Sequence, residues 1–128
     1  MEFVSKQKLL KLKKKNRGNI PLQEAVDKLI KDIEEAKWKS KTDVKASRID
    51  ADCVHNDGFF FFNINVHRTM VLLEFSIEDD QSIEDKKDDS YQGEASVVWV
   101  GTHEEYESTF KNNKDTIEKW LRGKELIE

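Results

Sequence analysis

Cysteine, proline and glycine are scarce in this chain: one, one and five among 128 residues. A lone thiol, Cys53, closes no internal disulfide, which suits the reducing cytoplasm. Cys53 itself is expected to be structural, because free cysteine is commonly buried and no base is certain beside it. No two glycines have the spacing of a nucleotide-binding turn, so a phosphate-cradling loop is not expected. No run of about 18 apolar residues occurs, which excludes a membrane-spanning helix on sequence grounds. The opening Met-Glu-Phe-Val-Ser-Lys lacks the basic-then-apolar order of a secretory signal. These features predict a cytoplasmic protein that does not enter a membrane, and the length suits one compact domain.

Charge is abundant, at 38% of residues against 37% hydrophobic, and it is unevenly spread. Residues 1–73 hold 15 basic and 10 acidic side chains; residues 74–128 hold 7 and 16. The net charge of −4 argues against a nonspecific nucleic-acid coat. A local basic groove is still allowed, since a phosphate responds mainly to charges within about 10 Å at ordinary salt. The segment 78–94 is rich in Asp and Glu without periodicity and is expected to be a long solvated loop. It also fits a regulatory flap that competes with an anionic ligand. Its Asp79-Asp80 and Asp88-Asp89 pairs lack the spacing and central glycine of a calcium loop, so no metal site is assigned.

Along the chain, Ser5 fits an N-cap for a short basic helix over 5–16, with Leu9, Leu10 and Leu12 beside six lysines. That charge run fits a solvated helix face or an RNA-phosphate contact. Pro21 suits the start of a second helix to about Lys37, whose Leu22, Val26, Leu29, Ile30 and Ile33 recur at helical spacing. Val44 to Ile49 reads as a short strand or extended segment. Phe59 to Ile64, bounded by Asp57-Gly58 and Asn65, reads as a strand, hairpinned through Asn65-Val66-His67 to another from Arg68 to about Ile77. Ala95 to Val100 is a further strand. Thr102-His103-Glu104-Glu105 has the Thr-x-x-Glu form of a capping box and should open a helix. Another helical segment is expected over Asn112–Arg122, with Gly123 as its stop. This order predicts an α+β domain with helices on one face of a small antiparallel sheet.

The junction Val100-Gly101-Thr102-His103 places an imidazole at the end of a sheet. An imidazole has an ordinary pKa of about 6.5 and suits proton transfer. Tyr106, three residues on, shares its helix face. Arg68 suits a phosphate through its planar fork, and Lys45 suits a point-charge role. Asn63 can hydrogen-bond ribose or base. Bland readings stand beside each. His103 fits a solvent-facing first-turn residue, Tyr106 the edge of a core, and Arg68 an ion pair with Glu74 or Asp57. Lys45 fits a solvated position and His67 the surface of a turn. Trp38, Trp99 and Trp120 fit core anchors.

Four pieces in order resemble a known family: Val4-Ser5-Lys6; Ala36-Lys37-Trp38-Lys39-Ser40 with Asp43-Val44-Lys45-Ala46; Phe62-Asn63-Ile64 with Arg68; and Val100-Gly101-Thr102-His103-Glu104-Glu105-Tyr106. Over residues 4–107 the chain is similar to the HigB toxins of the RelE-like mRNA interferases. The resemblance implies a RelE-like α+β fold, with two N-terminal helices packed on a small antiparallel sheet and a C-terminal helix. One domain over 1–128 follows, with 78–94 as an acidic loop insertion and 108–128 as a C-terminal helical extension. It implies a cytoplasmic toxin that cleaves mRNA, usually on the ribosome and without a metal or cofactor. A HigA-like helix-turn-helix antitoxin would neutralise it, as a heterotetramer. Catalysis would fall to His103, Arg68, Tyr106 and Lys45, and RNA contacts to Asn63, His67 and Lys39. The hairpin turn is shorter than the family's by two residues, which keeps the pleat parity of Arg68. A noncatalytic RNA- or ribosome-binding module, or a protein-interaction module, on the same scaffold is the other reading.

Overall fold

The computed structural model describes residues 1–75 and 93–128. Among these, five helices accompany a five-stranded sheet. The strands are β1 (Glu2–Ser5), β2 (Asp52–His55), β3 (Phe59–Ile64), β4 (His67–Glu74) and β5 (Glu94–Thr102). The helices are α1 (Gln7–Lys15), α2 (Ile20–Glu34), α3 (Lys41–Ser47), α4 (His103–Phe110) and α5 (Lys114–Gly123). The sheet order is β1-β5-β4-β3-β2, antiparallel except for β1 beside β5.

Helices cover both faces of this sheet, not one as the element order suggested. Phe60, Phe62, Ile64, Val71, Leu73, Ala95 and Val97 point to α1 and α2 and pack on Leu9, Leu22, Val26, Leu29 and Ile33. Phe59, Phe61 and Met70 point the other way, to Tyr106 and Phe110 of α4 and Ile117 and Leu121 of α5. Four successive phenylalanines are fully buried for this reason, since a strand covered on both sides has no polar face. The sheet therefore rests between α1–α2 and α4–α5, the latter being the two C-terminal helical segments expected after Thr102 and over Asn112–Arg122. A register shift between Met70 and Val71 in the β4–β5 ladder leaves Val98 and Trp99 both on the α4–α5 side.

Three local expectations give way. Ser5 ends a strand and does not cap α1; Lys6 holds the cap position without a side-chain bond. The extended segment at Val44–Ile49 is helix α3, because Ser40 accepts the Asp43 N–H at 3.3 Å while the Asp43 carboxylate accepts the Lys39 N–H at 2.9 Å. The strand that pairs with β3 comes later, at β2. Helix α2 stops at Glu34, short of Lys37, although its start is as expected, with Asn19 accepting from Leu22 N–H and Pro21 in the first turn. Glu94 belongs to β5; the rest of the acidic stretch, 78–92, lies outside the described residues.

One ion network fastens α2, α3 and β3 together. Arg48 is 12% exposed at its side chain and donates to both oxygens of Asp50 (3.0 and 2.6 Å) and to Asp32 (3.0 Å). Asp50 in turn accepts the backbone N–H of Asn63 at 2.9 Å. Burial pushes the Asp50 carboxyl up, but the bonds from Arg48 and Asn63 outweigh it and hold the group below its ordinary range. Asn63 is thereby set at a fixed place on β3.

Candidate functional site

The β4–β5 ladder builds a corner where the sheet meets α4. Arg68 lies opposite Gly101 and His67 opposite Thr102. The His103 N–H donates to the carbonyl of Val66 at 3.2 Å, tying the start of α4 to the β3–β4 turn. Thr102 and Glu105 form the expected capping box: Glu105 accepts the Thr102 N–H at 2.8 Å, and Thr102 accepts the Glu105 N–H at 3.1 Å. Gly101 is required by packing. A Cβ there would fall 2.6 Å from the Trp99 ring and 3.2 Å from the Glu105 Cβ. The Trp99 ring can lie over its own strand only because position 101 has no side chain.

Arg68 sits on an aromatic platform. Its guanidinium carbon is 4.6 Å from the centre of the Tyr106 ring and 5.1 Å from that of Phe61. Such contacts are worth about 0.5–2 kcal/mol, more when desolvated. The Arg68 Nε donates to Asn63 Oδ1 at 3.1 Å, across a directly paired position of the β3–β4 ladder. Among the described residues no carboxylate pairs with it, so the ion pair with Glu74 or Asp57 is not made. Its Nε is held by Asn63, the guanidinium also faces the Tyr106 hydroxyl, and among the described residues the charge has no carboxylate partner. This is the arrangement in which a guanidinium can grip an anion through two oxygens.

Tyr106 is 3% exposed and belongs to the core. Its ring meets Phe61 edge to face at 4.9 Å, and its hydroxyl donates to Asn112 Oδ1 at 2.8 Å. Burial raises the phenol above its ordinary pKa, against the pull of the Arg68 cation. A buried, occupied ring of this kind supports Arg68. His103 is exposed, one turn before Tyr106 on α4, and its imidazole makes no hydrogen bond among the described residues. Arg68, Asn63 and Tyr106 thus share one corner; His103 stands at the adjoining start of α4, bound through its backbone to the β3–β4 turn and felt electrostatically by His67.

The other named residues lie elsewhere. His67 is one residue from Arg68 and points to the opposite face, towards α1. There it lines a 410 Å³ groove with Lys8, Lys11, Lys15 and Glu105. Its Nδ1 is sealed from solvent and has no hydrogen-bond partner among the described residues. Burial lowers its pKa, Glu105 opposes that and His103 adds to it. Lys45 is exposed on α3, whose buried Val44 packs in the α1–α2 core; no described contact joins it to Arg68 or Tyr106. Lys39 is exposed just before α3. The sequence reading overlooked Phe61 as half of the arginine platform. Its signal was the period-2 relation to Asn63, which puts both on the Arg68 face. Among the described residues no group of three or more His, Cys, Asp or Glu could hold a metal ion, and no helix is long and apolar enough to cross a membrane.

Comparison with known proteins gives one family. The model of the HigB toxin, described as the RelE-like toxic component of a toxin–antitoxin system, matches residues 22–109. No curated protein and no solved structure matches. The match takes in α2 through most of α4, hence every residue of the Arg68 corner except Asn112, while α1 and α5 fall outside it.

Proposed function

Because the chain belongs to the HigB toxin family, the toxic partner in toxin–antitoxin pairs, we propose that it acts as an endoribonuclease that cuts mRNA on the translating ribosome in the cytoplasm. A HigA-like helix-turn-helix antitoxin holds it inactive in a heterotetramer. The observation that carries this reading is the Arg68 guanidinium, without a carboxylate partner among the described residues and braced by Phe61, Tyr106 and Asn63, on a strand whose ladder with β5 runs directly into the start of α4, where His103 is exposed.

In the reaction the ribose 2′-oxygen attacks the adjacent phosphorus as the bond to the 5′-oxygen breaks, leaving a 2′,3′-cyclic phosphate and a free 5′-hydroxyl. His103 helps move the proton from the 2′-hydroxyl to the leaving oxygen; such transfer is worth about 10²–10⁴-fold. Arg68 takes up the extra negative charge of the phosphorane. Asn63 and Tyr106 are positioning residues that fix the guanidinium. Lys45 has no part in the bond-breaking step, and Lys39 is an outlying RNA contact.

Induced expression in a bacterial host tests the reading. Growth stops with the native chain and resumes when a helix-turn-helix protein encoded beside it is co-expressed. His103→Ala, on an exposed position where folding is undisturbed, relieves the arrest. Full toxicity of that variant at equal protein level overturns the assignment of His103, and no arrest by the native chain overturns the toxin mechanism.

A further inference from the structure

Helix α1 carries lysines of two kinds. Lys6 pairs with Glu34, and Lys13 pairs with Asp27, so the side turned to α2 is neutralised. Lys8, Lys11 and Lys15 make no ion pair or hydrogen bond among the described residues. They recur at i, i+3 and i+7, which puts them in one row rising about 10 Å along the helix. The row forms one wall of the groove that His67, Gly101 and Glu105 close from the sheet end. Glu105 brings one negative charge, and its Oε1 is engaged by the Thr102 N–H in the capping box. Among the described residues, three cations without partners therefore face one carboxylate already committed to the helix start. Lysines kept apart without counter-ions repel one another in the free protein, and an elongated anion removes that cost.

We infer that this groove is a second nucleic-acid contact: it takes the phosphodiester backbone of the RNA strand running off the Arg68 corner, with Lys8, Lys11 and Lys15 as point-charge contacts and His67 as a hydrogen-bond donor at the sheet end. The inference rests on the RNA-cutting reading above for its ligand and goes beyond it in assigning a face of the molecule that the cleavage step does not use. Continuity supports it. Gly101 lines the groove and is also the ladder partner of Arg68, so the groove ends at the strand pair that carries Arg68 on its other face. A strand leaving the corner passes round the end of the sheet at His67–Thr102 to reach α1.

The state of His67 fits the role. Its Nδ1 has no partner among the described residues and no solvent, and a donor stranded there would carry a full desolvation penalty. The proton is accordingly placed on Nε2, and the ring is neutral near pH 7 because burial lowers its pKa despite Glu105. Neutral His67 contributes a directional donor and no charge, while the lysines contribute charge without direction. Nothing in such a set reads bases, so the groove is indifferent to sequence.

The test is fluorescence anisotropy of a labelled, uncuttable 12-nucleotide 2′-O-methyl RNA with the full chain, titrated at several salt concentrations. The triple variant Lys8→Gln/Lys11→Gln/Lys15→Gln is compared with Lys14→Gln/Lys31→Gln/Lys119→Gln, which changes net charge equally outside the groove. The groove variant lowers the slope of log affinity against log salt by about 2 and weakens binding on the order of 100-fold at 0.1 M salt. The control changes little. His67→Ala weakens binding several-fold without changing the slope, since a neutral donor releases no counter-ion. Equal slopes and affinities for the two triple variants overturn the inference and leave the cleavage reading intact. Loss of antitoxin binding by the groove variant with RNA binding unchanged also overturns it, and assigns the groove to protein. Groove-dependent RNA binding by a native chain that never cuts mRNA leaves the groove standing and removes the nuclease.

Discussion

Arg68→Ala slows mRNA cleavage on translating ribosomes on the order of 10²–10³-fold and leaves the fold in place. The guanidinium lies at the surface end of its contacts, over Tyr106 and Phe61, so removing it uncovers two ring faces without opening a cavity in the core. The stability change is correspondingly small, about 0.5–2 kcal/mol from the lost cation–π contacts. Arg68→Lys is the sharper variant. It keeps the charge, loses the planar fork and loses the Nε bond to Asn63. Its rate falls between those of the native chain and the alanine variant. Single-turnover cleavage with saturating ribosomes separates this from weakened binding: the loss is in the rate at saturation. Equal rates for Arg68→Ala and the native chain would remove Arg68 from the chemistry.

Phe61→Ala costs about 3–5 kcal/mol of stability. Phe61 is fully buried, and its ring contacts Trp99, Tyr106 and Phe110 at centroid distances of 6.2, 4.9 and 5.3 Å, all steeply tilted towards edge-to-face. It stands on β3 where the Trp99 ring of β5 and the Tyr106 and Phe110 rings of α4 converge, so deletion leaves a void bounded by rigid rings that cannot collapse into it. A domain of this size is stable by about 5–15 kcal/mol, so the variant is close to the limit of folding. Urea unfolding measures the loss through the midpoint. Phe61→Leu retains most of the burial and unfolds at a higher urea concentration than the alanine variant, yet it removes half of the arginine platform. It therefore folds and cleaves poorly. A loss under 1 kcal/mol for Phe61→Ala would mean that the aromatic cluster is not the keystone of the α4–α5 side.

The parts of this molecule legible in its sequence are those fixed by local chemistry. The Thr102–Glu105 capping box is read from two residues three apart, and both of its bonds form. The aromatic strand, its hairpin to β4 and the helix begun by Pro21 follow from composition and spacing. Strand β1 is invisible, because of the four residues that pair beside β5 only Phe3 is buried, and the adjacent Phe3 and Val4 show no alternation. Helix α3 misleads for a related reason: it buries Val44 alone, and its start depends on caps from Ser40 and Asp43. The two faces of the sheet could not be separated in Phe59–Phe62, where every side chain is buried and the period is silent. The same uncertainty hid the face of His67. Given as an RNA contact by the family resemblance, it points by strand parity to α1. At the site, the motif residues were legible one by one, whereas the arginine platform needed the β3–β4 register, which comes from the fold.

The central claim is that this corner cuts RNA through the substrate's own 2′-hydroxyl. An mRNA bearing one 2′-deoxy nucleotide just 5′ of a mapped cut site, presented on translating ribosomes with the purified toxin, measures it directly. The account predicts that cutting at that bond vanishes while neighbouring sites are still cut, and that the unmodified message ends in a 2′,3′-cyclic phosphate. Undiminished cutting at the deoxy position contradicts it.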